Sequence, residues 1–353
     1  MKTVSIVGAR PSFIKASLLS KKLEKLGEHI LINTGQHYDI NMADIFFEEF
    51  RMHADYDLRI GSGNQGAQTA RMLESLERVL KKVTPDVVIT YGSTNTTLAG
   101  VLAAAKLKIP SAHVESGVRS YNRRRSEEVN RVVADHISDI LFAPTSYAMK
   151  ILMSEGLGDR AHLVGDLQIE LLRRHLDKLS GKYLEKYQVK PGGYILCTIH
   201  MEENVDIEEN LRNILKGLTD SGKHILFPIH PRTRNRIRQF NLFREIGKNI
   251  QIVNPVGYIE MLSLIKYSER VCTDSSGVQK EAYLLKKPCV TLRKETEWIE
   301  TIDTGWNTLA GTNPARITKM VSTFEPKNRW KNVYPIMNTS ERICEILSSR
   351  IRV

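Results

Sequence analysis

The stretch His113-Val-Glu-Ser-Gly-Val-Arg-Ser-Tyr-Asn-Arg-Arg-Arg-Ser-Glu-Glu-Val-Asn-Arg131 decides how the rest of the chain is read. The apolar run Ile109 to Val114 leads into it and has the length of a buried strand. A helix with apolar positions Val129, Val132, Val133 and Ile137 leaves it. Between the two stand a carboxylate at the strand end (Glu115), a glycine for a tight turn (Gly117), several arginines and the pair Glu127 and Glu128. Open parallel sheets bind ligands outside the carboxyl ends of their strands. A strand end carrying Glu, Gly and Arg is therefore a candidate active-site wall. Ser126-Glu-Glu also has the composition of a helix N-terminus, a cap oxygen followed by acidic residues that favour the helix dipole. Such a cap accounts equally well for Glu128, but no cap needs Glu115.

Working outward, strand and helix patterns alternate almost from end to end. Thr3 to Val7 reads as a strand, Gly8-Ala-Arg-Pro-Ser as a turn, and a helix follows with Ile14, Leu18, Leu19 and Leu23 on one face. Further strands are expected at Ile30 to Ile32, Val87 to Thr90, Ile140 to Ala143 and Ala161 to Val164, with an amphipathic helix over 66–83 and a small-residue helix over 98–107. Residues 166–192 read as a connection that ends in the breaker cluster Val189-Lys-Pro-Gly-Gly. Alternation then restarts at Tyr194 to Thr198, His224 to Phe227, Ile250 to Val253, Val271 to Thr273 and Cys289 to Leu292. This order predicts an α/β chain with parallel, doubly wound sheets.

A length of 353 residues suits two domains. The expected division is 1–166, completed by a C-terminal helix over 337–353, and 167–336. Hydrophobic content of 41% and charged content of 26% are those of a soluble globular protein. The net charge of +11 favours an anionic partner. With aromatics at 7% and no zinc-finger spacing, a phosphate-bearing small molecule fits better than nucleic acid. No run approaches the ~20 apolar residues of a membrane span. Cys197, Cys272, Cys289 and Cys344 are dispersed and form no C-x-x-C pair, as expected of buried thiols in a reducing cytoplasm.

The informative polar clusters follow strands. Arg10 and Lys15 place two cations at one helix N-terminus, a setting for phosphate or carboxylate. Gly35-Gln36-His37-Tyr is a further polar loop. Thr198-Ile-His200-Met-Glu-Glu-Asn puts a histidine, a candidate general acid or phosphate donor, beside two carboxylates. Pro228-Ile-His230-Pro-Arg is dense in cations, and a solvated basic face explains it as well. Thr273-Asp274-Ser275-Ser276-Gly277 opens a helix with hydroxyls and backbone N–H groups, a phosphate cradle; Glu281, one turn on, is placed to accept ribose hydroxyls. Neither G-x-x-x-x-G-K-[ST] nor G-x-G-x-x-G occurs, and no His/Cys/Asp set has metal-ligand spacing, so no cofactor or metal is expected.

These ordered blocks, together with Gly92-Ser93-Thr-Asn-Thr, resemble the non-hydrolysing UDP-N-acetylglucosamine 2-epimerases, especially their archaeal members, over nearly the whole length. The resemblance implies two Rossmann-like domains of the glycosyltransferase-B type, a UDP-sugar in the interdomain cleft, and a homodimer. It implies removal of the C2 proton with anti elimination of UDP, then re-addition to give the mannosamine isomer for cell-envelope or glycan biosynthesis. Glu115, Glu127 and His200 match the family's catalytic residues. Uracil and ribose contacts fall near Gly257, Tyr258 and Glu281. Diphosphate contacts fall on Arg10, Ser275, Ser276 and Gly277, and the substrate-binding set extends to Lys15, Gln36, His37, Arg119, His230, Asp274 and Arg293.

Departures from the family pattern are specific. Ser93 stands where the family has a catalytic aspartate, and Ser12 follows Arg10-Pro11 where a glutamate is usual. His200-Met201 replaces His-Arg, Ser275-Ser276-Gly277 replaces Ser-Gly-Gly, and Glu297-Trp298-Ile299-Glu300 replaces Glu-Arg-Pro-Glu. A serine is no base near neutral pH. Two alternatives follow: a related UDP-sugar enzyme (hydrolysing, acting on a modified sugar, or transferring a glycosyl group), and a UDP-sugar-binding protein without catalysis.

Overall fold

The structure, a computed structural model, describes residues 1–36, 48–50, 52–334 and 338–351. The chain divides into two compact units: Met1–Arg173 with the segment from Tyr334 onward, and Arg174–Val333. Each is built on its own parallel sheet.

The first sheet contains β1 (Thr3–Val7), β2 (His29–Asn33), β3 (Tyr56–Asp57), β4 (Val87–Tyr91), β5 (Ser111–Val114), β6 (Ile140–Ala143) and β7 (Ala161–Leu163). Their order is β3-β2-β1-β4-β5-β6-β7, so the direction of winding reverses between β1 and β4. β1, β4, β5 and β6 are buried along their whole length, which is why they read as apolar runs rather than as alternating patterns. Helix Asn95–Lys106 packs so closely on the sheet that a Cβ on Gly100 would lie 2.8 Å from Thr90 Cγ2 and 3.2 Å from Ile6 Cδ1. Helix Gln65–Val83 adds Met72, Leu76 and Leu80 to the same core. The C-terminal helix Thr339–Arg350 belongs to this unit. The Glu170 carboxylate accepts from Ser340 N (2.8 Å) and Oγ (2.9 Å) at its first turn, and Lys22 pairs with Glu341 at 2.5 Å.

Helix Ser126–Ile137 departs from the expected packing. Its apolar positions do not form the buried face: Val129 is 43% exposed, and Val132, Val133 and Ile137 are only partly covered. The buried face is Glu128, Asn130, Arg131, Ala134 and Asp135. The reason lies in what the helix covers. Its inner side meets the loops at the ends of β4 and β5, whose polar groups need partners once they are shut away from water. The N-cap is Arg125 rather than Ser126, and no side chain caps it.

The second sheet contains β8 (Ile195–Thr198), β9 (Ile225–Pro228), β10 (Ile250–Val253), β11 (Arg270–Thr273), β12 (Cys289–Thr291) and β13 (Asn307–Leu309). The order β10-β9-β8-β11-β12-β13 repeats the reversal, here between β8 and β11. Its separate core joins Ile195, Cys197, Leu211, Leu215, Phe227, Ile237 and Ile317 among others. The edge strands β3 and β13 are two and three residues long and carry no pattern a sequence reading can detect. Among the described residues, no helix is long and apolar enough to cross a membrane.

Candidate active site

In each unit the polar clusters gather at the switch point, where crossovers to either side leave a crevice at the strand ends. In the first unit, β1 ends in Gly8-Ala-Arg10. Ser12 Oγ accepts from the N–H groups of Gly8 (3.1 Å) and Ala9 (3.2 Å) and donates to Ala9 O (2.7 Å). The serine thus braces the turn itself, and the departure at this position leaves the loop intact. Arg10 opens the helix Arg10–Leu23, and Lys15 lies buried one turn further on. Lys15 reaches across to β5, where its Nζ is 2.8 Å from Glu115 Oε2. The two cations expected to share one anion are therefore not equivalent, because Lys15 serves a carboxylate of the chain.

Glu115 adopts φ +74°, a left-handed conformation that costs a side chain of this kind on the order of 1 kcal/mol. Next to it, Gly92 turns the chain out of β4 at φ +71°, and a Cβ there would lie 3.3 Å from Lys15 Nζ and 3.6 Å from Glu115 Oε1. Ser93 follows. Its Oγ accepts from Arg131 Nη2 (3.2 Å) and its carbonyl from Asn130 Nδ2 (3.1 Å). Ser93, Glu115 and Lys15 are thus brought to one place. Gln36 also joins this end of the sheet, its Oε1 accepting from Thr96 N (3.2 Å) and Oγ1 (2.9 Å). His37 lies outside the described residues.

The acidic pair divides. Glu128 is buried and accepts from Ser120 N (2.9 Å), Ser120 Oγ (2.8 Å) and Tyr121 N (2.9 Å). It therefore anchors the arginine-rich loop rather than capping the helix. Glu127 keeps a side chain 34% exposed, with Arg125 Nε 4.0 Å away, and is the carboxylate of the pair that solvent reaches. Arg119 is fully buried. Its guanidinium donates to Asp135 (2.6 Å) and, through Nε and Nη2, to Glu155 (2.9 and 2.6 Å). The structure thus commits Arg119 to the scaffold of the loop.

In the second unit, β8 delivers His200 and β11 delivers Asp274. The Asp274 carboxylate is fully buried and accepts from the N–H groups of His200 (3.1 Å) and Met201 (3.0 Å) and from Asn204 Nδ2 (3.0 Å). Asp274 thereby shapes the histidine loop. The His200 ring is 36% exposed, and its centroid is 5.6 Å from that of His230. Ser275 N-caps the helix Ser276–Leu284 by accepting from Val278 N (3.4 Å). The first-turn N–H groups of that helix form an end whose dipole favours an anion. Glu281 is buried on the same helix. Gly257 N-caps the helix Tyr258–Tyr267, and the Tyr258 ring is buried edge-on to His175 with centroids 6.5 Å apart. Arg293 is buried with Nη1 2.8 Å from Glu297 Oε2.

In this unit the sequence marked Ser276 and Trp298 separately and gave no signal that they meet. Trp298 Nε1 donates to Ser276 Oγ (2.8 Å), and Lys280 Nζ sits 4.3 Å from the centre of its ring. The serine and the tryptophan that depart from the family pattern are therefore partners, and the Ser276 hydroxyl is turned toward Trp298. All four cysteines are free and buried, and burial pushes the thiols of Cys289 and Cys344 up to about 12 and about 11. Among the described residues, no three His, Cys, Asp or Glu side chains gather as a metal site.

Two doubly wound units with polar clusters at their switch points define a class of α/β nucleotide-binding architecture, and comparison with known proteins narrows it. The family UDP-N-acetylglucosamine 2-epimerase matches residues 21–348, and the chain belongs to that family. It is 46% identical to a UDP-N-acetylglucosamine 2-epimerase homolog of Methanococcus maripaludis, over 98% of this chain and 99% of that one. It is 40% identical to a UDP-2,3-diacetamido-2,3-dideoxy-D-glucuronate 2-epimerase of Pseudomonas aeruginosa, over 99% of each. Among solved structures, the UDP-GlcNAc 2-epimerase of Methanocaldococcus jannaschii in complex with UDP-GlcNAc and UDP superposes with a TM-score of 0.94 at 44% identity, covering 99% of this chain and 100% of that one.

Proposed function

We propose that this chain interconverts UDP-N-acetylglucosamine and UDP-N-acetylmannosamine. The observation that carries the reading is the Glu115 carboxylate held by Lys15 at the first switch point, in a chain whose relatives bear that activity in their names. A carboxylate takes the proton from C2 of the sugar. The electron pair forms the C1–C2 double bond of a 2-acetamidoglucal, and the C1–oxygen bond breaks, its pair leaving on the β-phosphate of UDP. The same oxygen then adds back to C1 while a proton reaches C2 on the opposite face. Two faces call for two proton-handling groups, and Glu115 and Glu127 stand on the two sides of one loop. His200 and the first turn of Ser276–Leu284 take the leaving diphosphate, and Glu281 the ribose.

Incubation with UDP-N-acetylglucosamine in deuterated water is expected to place deuterium at C2, and Glu115→Gln to slow this by about 10²–10⁴-fold. Free monosaccharide among the products marks a hydrolysing enzyme instead. Tight UDP binding with no turnover of any UDP-sugar marks a binding protein.

Ser93 favours a second reading. Arg131 has Nη1 3.4 Å from Glu128 Oε2, while its Nη2 donates to the Ser93 hydroxyl where the resemblance places a carboxylate, and Arg123 and Arg124 are exposed in the loop ahead of the same helix. An extra anionic group on the sugar, such as the carboxylate of the diacetamido-dideoxy-glucuronate for which the Pseudomonas aeruginosa relative is named, suits such surroundings. Relative exchange rates at C2 for the two UDP-sugars decide between the readings.

A homodimer in the cytoplasm completes the proposal. The outward apolar face of Ser126–Ile137 and the partly covered Leu98 and Leu102 on the neighbouring helix Asn95–Lys106 suit burial against a second copy. Sedimentation of the wild type as a dimer and of Val129→Lys as a monomer supports this; a monomeric wild type removes it.

A further inference from the structure

His113 is fully buried on β5, two residues before Glu115, and both of its ring nitrogens face acceptors. Nδ1 is 2.7 Å from Asp135 Oδ1, and Nε2 is 2.7 Å from the carbonyl oxygen of Gly92. A backbone carbonyl can only accept, so Nε2 carries a proton. Asp135 also takes the N–H of Gly117 (2.9 Å) and Arg119 Nη1 (2.6 Å) on its other oxygen. Burial alone would raise this carboxyl, yet His113, Arg119 and the Gly117 N–H together hold it below the ordinary range. With the Arg119 guanidinium and the Gly117 N–H on its other oxygen, Asp135 stands as an ionised acceptor, which puts a proton on Nδ1 as well.

Resting on the epimerase reading, we propose that His113 is a positioning residue of the reaction, a buried imidazolium that locks the Gly92–Ser93 turn to the loop and helix carrying Glu115 and Glu127. One ring spans three elements. It holds the end of β4 through Gly92 and the helix Ser126–Ile137 through Asp135. Asp135 in turn fixes Gly117, just past Glu115. A neutral ring keeps a proton on one nitrogen only and releases either Gly92 or Asp135. The charged groups around it are Asp135, Arg119 with Glu155 beyond it, and the Lys15–Glu115 pair at the far side of Gly92. Charge is balanced locally, two cations (His113 and Arg119) against Asp135 and the partly exposed Glu155, which makes a buried imidazolium tenable.

The direct test is the nitrogen spectrum of histidine-labelled wild-type protein, which needs no substrate and stands whatever the sugar is. One resonance pair with both ring nitrogens protonated is expected at pH 7, assigned by its loss in His113→Gln. A His113 ring with one bare nitrogen at pH 7 overturns the proposal. In Asp135→Asn the ring loses its counter-charge, and one of the two protonated-nitrogen resonances is expected to be lost at pH 7. His113→Gln, whose two N–H donors sit on one nitrogen and cannot span both partners, is expected to lower kcat roughly 10²-fold, as misplacement of reacting groups by about 1 Å does, with the Kd for UDP unchanged. An imidazolium spectrum with unaltered kcat in His113→Gln refutes the positioning role and leaves the epimerase reading standing. If no UDP-sugar turns over at all, that reading falls while the spectrum still decides the state of the ring.

Discussion

The ammonium of Lys15 lies 2.8 Å from a carboxylate oxygen of Glu115, with the lysine side chain 4% and the glutamate 15% exposed. The pair joins the helix after β1 to the end of β5 and passes beside the Gly92 turn that ends β4. Lys15→Met leaves the carboxylate shielded from water without its cation, which favours the protonated form and removes the base. C2 exchange is expected to fall at neutral pH, with the acidic limb of its pH profile moving upward. Breaking such a pair costs as much as 3–5 kcal/mol when both partners are fully buried, so about half of that is expected here. An unchanged pH profile in Lys15→Met shows that the pair is structural only.

Ser93→Asp places a carboxylate where Ser93 Oγ now meets Arg131 Nη2 at 3.2 Å. The new ion pair makes the substitution compatible with folding, and the melting temperature should hold or rise. If UDP-N-acetylglucosamine is the substrate, C2 exchange is expected to quicken with UDP affinity little changed, and the gain to vanish in a Glu115→Gln background. Flat or slower exchange means that the site is built around serine, and it strengthens the reading with an anionic sugar.

Trp298→Phe deletes the donor to Ser276 Oγ while keeping most of the ring that Lys280 covers. The lost hydrogen bond is worth about 1 kcal/mol. Because Ser276 opens the helix proposed to take the diphosphate, weaker UDP binding by several-fold is expected in calorimetry. The Lys15 pair, on the other unit, should be insensitive to the change, so Glu115-dependent steps measured at saturating substrate are expected to keep their pH profile.

Acid sensitivity should trace in part to His29. Its ring bridges Thr3 Oγ1 (2.8 Å) and Ser20 Oγ (3.0 Å), and burial brings its pKa down to about 4 against the opposing pull of Asp55. In the unfolded chain an imidazole titrates near 6.5. The folded value is the lower one, so below pH ~6.5 the unfolded state takes up the proton first. Stability from this group is complete above pH ~6.5, declines as the pH falls, and is gone below about 4, a loss of about 3 kcal/mol. Urea midpoints at pH 7.5 and pH 4.5 should show the wild-type advantage over His29→Gln shrinking at the lower pH. A constant advantage contradicts the assignment.

By itself the sequence determined the two parallel sheets and the strand ends that carry the polar clusters. Buried parallel strands are short apolar runs between turn residues, a signal local enough to read from Thr3–Val7 or Val271–Thr273 alone. Local pattern also located Ser93, Glu115 and His200 directly after strands. What the pattern could not contain was direction. Periodicity says which residues of Ser126–Ile137 share a face, but only the loops after β4 and β5 decide that the polar face turns inward and Val129 outward. The same holds for partners far apart along the chain. Lys15 and Glu115, Ser276 and Trp298, and His113 and Asp135 each acquire their roles by meeting across the fold. Once buried, a polar atom must be matched by whichever group the tertiary structure brings within reach, and no local pattern of residues encodes that choice.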